Sequence, residues 1–261
     1  MESGIVKSAK VDELEVIVAE GRPALGKLAA KHVSGIINKL QAEQDEVRIV
    51  FAAAPSQNEF LAELAKDESI QWNKIIAFHM DEYIGLLADA PQLFGTYLTE
   101  HIFSKVNFKR VNLINSQAKN PLDECIEYER LLQEKQIDIV FLGIGENGHI
   151  AFNDPPVADF NDKVFVKIVE LEERCKYQQV NDGCFNSIDE VPKTAYSLTI
   201  PALLAAKYKN IVVPGIRKAE AIGNTLFAEI STKCPATILR KQKDSILFID
   251  TDSASEIFDK L

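Results

Sequence analysis

A chain of 261 residues, 46% of them hydrophobic, is long enough to bury a large single core, and its formal net charge of -10 lacks the basic footprint that nucleic acid or an anionic membrane demands. There is no run of about 18 uncharged apolar residues and no basic-then-apolar leader, so a soluble, cytoplasmic protein is expected. The four cysteines, Cys125, Cys175, Cys184 and Cys234, stand far apart with no C-x-x-C pair and no histidine at metal-ligand spacing, and read as reduced thiols.

In chain order, the first clear element is a helix over residues 23–44. Leu25, Leu28, Ala29, Val33, Ile36, Ile37 and Leu40 recur at spacings of three and four, with His32 on the flank of the stripe in a packing or solvent role. Residues 47–54, VRIVFAAA, read as a strand. Pro55, Ser56, Gln57 and Asn58 then form a turn with capping chemistry ahead of a short helix near Glu59. A strand, a polar turn and a helix start in that order can hold a phosphate on free amides, and can equally be an ordinary capped helix.

Residues 74–80, KIIAFHM, predict a strand that carries Asp81 and Glu82 at its carboxyl end. Neighbouring side chains of an extended strand point to opposite faces, so the two carboxylates need not share a site and one can face a cleft; taken alone, the pair also reads as a solvated turn. A carboxylate shielded by apolar neighbours has a raised pKa and is a stronger base toward a carbon-bound proton. His79-x-Asp81 lacks a third ligand at a recognisable spacing, and no metal is expected. Pro91 introduces a helix over residues 92–103, residues 111–114 form a short strand, and residues 121–135 form a second amphipathic helix. This rhythm predicts an α/β fold: a doubly wound, mostly parallel, Rossmann-like sheet with helices on both faces, in one domain spanning residues 1–261.

The apolar run of residues 137–142 suits a strand buried on both faces, and it breaks on Gly143, Gly145 and Gly148. Glycines let the chain turn sharply at a strand's carboxyl end, where open α/β sheets place their ligands. His149 follows, flanked by Asn147 and Asp154, as a candidate proton-transfer group; the alternative is a loop histidine without chemistry. Gly143-x-Gly145-x-x-Gly148, with Glu170 about 20 residues onward, also spells a dinucleotide fingerprint. Pro155-Pro156 stops the helix that the fingerprint requires, so that reading is set aside.

Residues 164–169 read as a strand, and residues 174–186, RCKYQQVNDGCFN, as a polar rim loop or surface connection. Residues 195–199 and 210–213 are two more strands, the second ending at Pro214-Gly215. Lys218 stands in the first turn of the helix after them, where its ammonium can meet an anion drawn to the helix start; a lone lysine on a helix is otherwise simply solvated. Residues 245–250 form a last buried strand before a short helical tail.

Gly143-Ile-Gly-Glu-Asn-Gly-His-Ile-Ala-Phe-Asn-Asp-Pro155, together with Met80-Asp-Glu-Tyr-Ile-Gly-Leu86, resembles the glucosamine-6-phosphate deaminase (isomerase) family, weakly over residues 47–250 as a whole. The resemblance implies aldose-ketose isomerisation of a 2-amino-2-deoxyhexose 6-phosphate to a ketohexose 6-phosphate with loss of ammonia. It implies a ring-opening role for His149, oriented by Asp154 and Asn147, and a base role for Asp81 at carbon 2. The substrate is held by the turn of Ser56, Gln57 and Asn58 and by Glu82, Gly145, Gln179 and Lys218. No cofactor is implied, and the partner is a small sugar phosphate, with a homo-oligomer compatible with the sequence.

Three departures from the family pattern stand out. Ser56-Gln57-Asn58-Glu59 replaces a Thr- and Gly-rich phosphate loop, Gln178 or Gln179 stands where an arginine usually meets the phosphate, with Arg174 a few residues away, and Asn147 replaces an aspartate. An amide lends no negative charge to a neighbouring imidazolium, which points to slower ring opening or to another sugar, such as a galactosamine-type isomer. The alternatives are a 6-phosphogluconolactonase, whose related motif also frames a histidine with glycines, and a non-catalytic sugar-phosphate sensor.

Overall fold

In the computed structural model, which describes residues 3–261, an antiparallel hairpin of β1 (Ile5–Val11) and β2 (Leu14–Ala19) leads into α1 (Arg22–Glu43). The chain continues through β3 (Val47–Phe51), α2 (Asn58–Leu64), β4 (Ile75–His79), β5 (Asp81–Tyr83), α3 (Phe94–Leu98), β6 (Arg110–Asn112), α4 (Pro121–Gln133) and β7 (Ile139–Leu142). It ends with β8 (Val166–Glu170), α5 (Glu173–Asn181), β9 (Thr194–Leu198), α6 (Ile200–Leu204), β10 (Tyr208–Val213), α7 (Ala219–Phe227) and β11 (Ser245–Asp250).

Eight strands form one sheet in the order β1-β2-β11-β10-β7-β3-β4-β6, parallel from β2 to β6. Every residue of β3, β4, β7 and β11 is buried, as expected of strands covered on both faces. The two-residue period divides β7 between two cores. Ile139 and Phe141 pack with Leu25, Val33 and Phe60 on the side of α1 and α2, while Val140 and Leu142 pack with Tyr128, Leu203 and Ile222 on the side of α4, α6 and α7. Arg48 in β3 is buried at 2% exposure; it donates to Leu131 O at 2.5 Å and lies 5.0 Å from the centre of the Phe78 ring. The fold is thus the doubly wound α/β sheet that the sequence predicts.

From β3 the chain winds outward to β4 and β6, then returns to place β7 on the other side of β3 before winding to β10 and β11. The reversal falls between β3 and β7. At such a switch point the connecting segments diverge and leave a crevice beyond the carboxyl ends of the strands.

Several local expectations are corrected. The sequence reading places no element before Pro23, yet β1 and β2 extend the sheet by an edge hairpin, since Val6 to Val18 alternate apolar and polar residues only imperfectly. Asp81 and Glu82 do not trail off β4: after Met80 the chain enters β5, which pairs antiparallel with β9 in a second, three-stranded sheet of order β5-β9-β8. Residues 174–186 are not a loop throughout. They hold α5, whose inward positions Cys175, Gln178 and Gln179 fit helical spacing but include two amides, so no apolar stripe marks it. The helix of residues 92–103 is shorter, with α3 starting at Phe94 and widening into a π turn over Thr99–Phe103; the tail folds into turns with one 3-10 turn at Phe258–Lys260. Among the described residues, no helix is long and apolar enough to cross a membrane.

Candidate active site

A cavity of about 660 Å³ opens at this crevice. Each parallel strand around the switch point contributes from its carboxyl end: Ser56 after β3, Asp81 after β4, Gly145 and His149 after β7, and Lys218 after β10. Arg22 of α1, Tyr97 of α3, and Gln178 and Gln179 of α5 complete the wall.

The loop after β7 sets His149 by main-chain geometry. Gly148 takes φ +82°, and Gly145 and His149 close the loop through Gly145 N to His149 O at 2.9 Å. Gly145 also lies directly under the imidazole: a Cβ there would come within 2.2 Å of the ring, so any side chain at this position displaces it. Gly143 is different, since a Cβ would meet nothing nearer than 3.5 Å. Behind the ring, His149 Nδ1 is 2.8 Å from Asp154 Oδ1, and the Asp154 carboxylate is fully buried. Burial pushes that carboxyl up, but His149, Asn147 and the Glu172 amide outweigh it and hold it below the usual range.

Asn147 does not reach the cavity. Its Oδ1 accepts the His149 amide at 3.0 Å, and its Nδ2 donates to both Asp154 Oδ1 and Glu172 Oε2 at 2.9 Å. An amide therefore bridges two carboxylates at a place where a third carboxylate would repel both. The residue at 147 and the residue at 172 form one polar unit, which gives the departure at Asn147 a physical cause.

Asp81 and Glu82 face different ways, as strand geometry requires. Asp81 lines the cavity and is 8% exposed; burial first, and the nearby Glu82 second, raise its pKa well above the ordinary aspartate range. Glu82 is a correction to the sequence reading: it does not line the cavity but turns inward to accept Tyr83 N, Phe94 N and Gly95 N at 2.8 to 3.0 Å. Burial raises its pKa to about 7 against those three amide donors. It fixes the start of α3. His79, on the same segment, is fully buried and accepts Ile114 N at its Nε2, with burial lowering its pKa to about 3. That imidazole is spent on the fold.

Elsewhere on the cavity wall stand Ser56, Gln179 and Lys218, whereas Gln57 and Asn58 do not line it. Gln57 is fully buried and its Nε2 donates to Val212 O at 3.1 Å and Ser56 Oγ at 3.0 Å, while Asn58 Oδ1 is 2.6 Å from the Tyr97 hydroxyl. Both brace the turn through these contacts, although the buried Gln57 Oε1 has no partner among the described residues. Gln179 accepts the Tyr83 hydroxyl at 2.8 Å. Among the described residues no acceptor pairs with the Lys218 ammonium, though the residue is only 8% exposed; burial lowers its pKa, and Asp182 and Glu146 partly offset this. A buried, unpaired cation on a cavity wall is a seat for an anion.

Arg22 is one cavity-lining residue that the sequence reading misses. Its Nε and Nη2 donate to the two Glu59 oxygens at 3.0 and 2.8 Å, and Nη2 also donates to Pro55 O at 2.8 Å. Gly26 permits this approach, since a Cβ there would stand 2.7 Å from the Glu59 backbone. Three of the five guanidinium hydrogens are thereby used, and the two on Nη1 meet no acceptor among the described residues. One signal was available: a cation at the first position of a helix opposes the helix dipole, and such local conflicts mark function.

The arrangement has relatives. The chain is 32% identical over 242 residues to a glucosamine-6-phosphate deaminase of Listeria monocytogenes serotype 4a, covering 93% of this chain and 99% of the relative. It is 36% identical over 198 residues to the deaminase of Clostridium botulinum strain Eklund 17B, covering 75% and 78%. Among solved structures, a monomeric glucosamine-6-phosphate deaminase superposes with a TM-score of 0.83 at 30% identity, covering 92% of this chain and 98% of that one. The 6-phosphogluconolactonase of Thermotoga maritima shares the fold, with a TM-score of 0.72 at 20% identity over 91% and 98% of the two chains. Residues 21–248 match the family described as glucosamine-6-phosphate isomerases/6-phosphogluconolactonase, and the chain belongs to it.

Proposed function

We propose that this protein converts a 2-amino-2-deoxyhexose 6-phosphate, of the glucosamine or galactosamine type, into a ketohexose 6-phosphate and ammonia. The observation that carries the reading is the opening of Asp81, His149 and the unpaired Lys218 ammonium onto one cavity. Two proton-transfer groups and one anion seat are what an isomerising deaminase of a sugar phosphate needs.

His149 handles the ring oxygen. Asp154 holds its Nδ1 side, so Nε2 is left to exchange a proton with the substrate as the pyranose opens. Asp81 then takes the proton from carbon 2 and returns it at carbon 1. Its shielded carboxylate is more basic than an exposed one, which favours removal of a carbon-bound proton. Nitrogen leaves carbon 2 as ammonia when the enolamine so formed is protonated and hydrolysed. The phosphate lies toward Lys218, Ser56 and Arg22, and the Gln179 amide takes a neutral place on that wall.

The test is a coupled ammonia assay on glucosamine, galactosamine and mannosamine 6-phosphates, with acid release from 6-phosphogluconolactone measured in parallel. Ammonia from at least one amino sugar is expected; acid release alone overturns the reading in favour of a lactonase. Asp81→Asn is expected to lower turnover by ~100- to 10,000-fold while sugar-phosphate binding is largely kept, since only the proton acceptor is removed. Binding without turnover in the unaltered protein, unaffected by Asp81→Asn, identifies a sensor.

A further inference from the structure

The side of His149 that faces away from the cavity carries a second arrangement of donors. His149 Nδ1, an Asp154 oxygen and Cys175 Sγ all lie within 4.8 Å of one another, and all three residues are buried. Cys175 reaches this point from the third position of α5, beside the Asp154 carboxylate. The Asp154 Oδ2 oxygen receives a long contact, 3.5 Å, from Glu172 N.

An imidazole, a carboxylate and a thiolate make a donor set of mixed softness. Such sets suit zinc, which binds nitrogen and oxygen at about 2.0–2.2 Å and sulfur at about 2.3 Å, and they discriminate against magnesium and calcium, which prefer oxygen alone. Donor atoms spaced this closely surround a point that an ion of that reach meets with small side-chain shifts. The three residues offer one donor each, the number that an open zinc site takes before a water fills the fourth position. Asn147 supplies the outer shell by holding Asp154 Oδ1 and Glu172 Oε2 on its Nδ2, which fixes the carboxylate.

We propose that His149, Asp154 and Cys175 form a binding site for zinc that switches the enzyme off. As the ion enters, the thiol proton leaves to solvent and sulfur becomes thiolate. The imidazole proton moves from Nδ1 to Nε2, and Nδ1 gives its lone pair to the metal. The close contact between His149 and Asp154 is replaced by bonds to the ion, and Nε2 keeps its proton as a donor that can no longer accept one. Sugar phosphate still enters the cavity, because the ion sits behind the ring. Zinc binding stands on geometry alone; its inhibitory effect rests on the acid-base reading of His149 given above.

Cobalt(II) is the probe, since a thiolate-to-cobalt band in the near ultraviolet reports the sulfur whether or not the protein turns over any substrate. Chelator-treated full-length protein is titrated with cobalt(II) and the complex is then displaced with zinc. One equivalent of cobalt with a thiolate band is expected, lost in Cys175→Ala and Cys175→Ser and kept in Cys184→Ala. Loss of the ligand is expected to weaken zinc binding by more than the ~10- to 100-fold that loss of an outer-shell partner costs. A band that survives Cys175→Ala, or no band in the unaltered protein, overturns the proposal. Should the cysteine variants misfold, X-ray absorption of the zinc-loaded wild type decides it: a shell without sulfur rejects the site. Ammonia release that persists unchanged with the band fully developed removes the switch and leaves the site, while absence of ammonia release in metal-free protein counts against the deaminase reading alone.

Discussion

The proposed catalytic and anion ends of the cavity are built by different means. The catalytic end is local: His149 leans on Asp154 five residues away, its loop closes on its own main chain, and Asp81 sits beside Glu82. The anion end is assembled from parts far apart in the chain, with Arg22 tied to Glu59 across 37 residues and Gln57 tied to Val212 across 155. The catalytic end therefore has little slack, because a change there moves a reacting group directly. At the anion end side chains hold other side chains, and a loss is shared among them.

The sharpest way to break this contrast is Gly145→Ala. The methyl group would overlap the imidazole, and His149 must rotate away from both Asp154 and the cavity. Activity is expected to fall nearly as far as on losing a positioned acid-base group outright, ~100-fold or more, with folding retained. Gly143→Ala, where the added carbon has room, is the control and is expected to stay near wild type. Equal kinetics for the two variants, measured by ammonia release, would show that main-chain fit does not govern this end.

A second test concerns Glu82, whose folded pKa of about 7 lies above its ordinary 4.5. The folded state thus binds this proton more tightly than the unfolded chain does. The resulting stability is present in full below pH 4.5 and is lost as pH rises toward 7; a shift of that size amounts to about 3 kcal/mol. Glu82→Gln removes the slope, so urea unfolding at pH 5 and pH 8 is expected to show wild type losing more stability over that interval than the variant. The same substitution removes the charge that raises Asp81, so the acid limb of the kcat/KM profile moves to lower pH. An unmoved acid limb would separate the two carboxylates.

At the anion end the expected effects are smaller. Arg22→Ala removes a guanidinium with two unassigned hydrogens and frees the turn at Pro55 and Glu59. A rise of ~10-fold in KM for the sugar phosphate is expected, in line with one charge-assisted hydrogen bond, with kcat kept within about twofold. Arg22→Lys is expected to recover little, since one ammonium cannot grip Glu59 with two parallel donors. A fall in kcat without a change in KM would place Arg22 at the catalytic end.

The same contrast explains what could be read in the sequence. The strands at 47–51, 75–79, 139–142 and 245–250 announce themselves as short, mostly apolar runs, broken inside only by Arg48, and the glycines before His149 mark a turn at a sheet edge, so the fold and the positions of Asp81 and His149 were legible. The resemblance supplied Lys218, which spacing alone leaves as a solvated lysine. Gln57, Asn58 and Glu82 were misread for one reason: polar residues at a strand end look ligand-facing until their partners are known, and those partners are Val212 O, the Tyr97 hydroxyl and the amides opening α3. No local pattern encodes such pairings. Helix α5 escaped because its buried face carries amides, and Asn147 could not be understood before Glu172 was seen beside it.

The mildest expected effect comes from Tyr97→Phe, and it tests whether load at the anion end is shared. The Tyr97 hydroxyl lies 2.7 Å from Ala54 O and 2.6 Å from Asn58 Oδ1, so it ties α3 to the turn on both sides of Pro55 and Ser56. Removing the oxygen leaves both partners without it, while the ring keeps its packing on His101. A lost hydrogen bond of this kind costs about 1 kcal/mol when the freed groups can reach water, as they can at a cavity wall. Stability by urea unfolding is expected to fall by about that amount, and KM to rise by less than in Arg22→Ala, because Arg22 still holds Pro55 O and Glu59. With Arg22→Ala and Tyr97→Phe combined, the two braces on one turn are gone, and the rise in KM is expected to exceed the product of the single effects. Strict additivity would mean that the turn keeps its shape by itself and that the long-range ties around it are incidental.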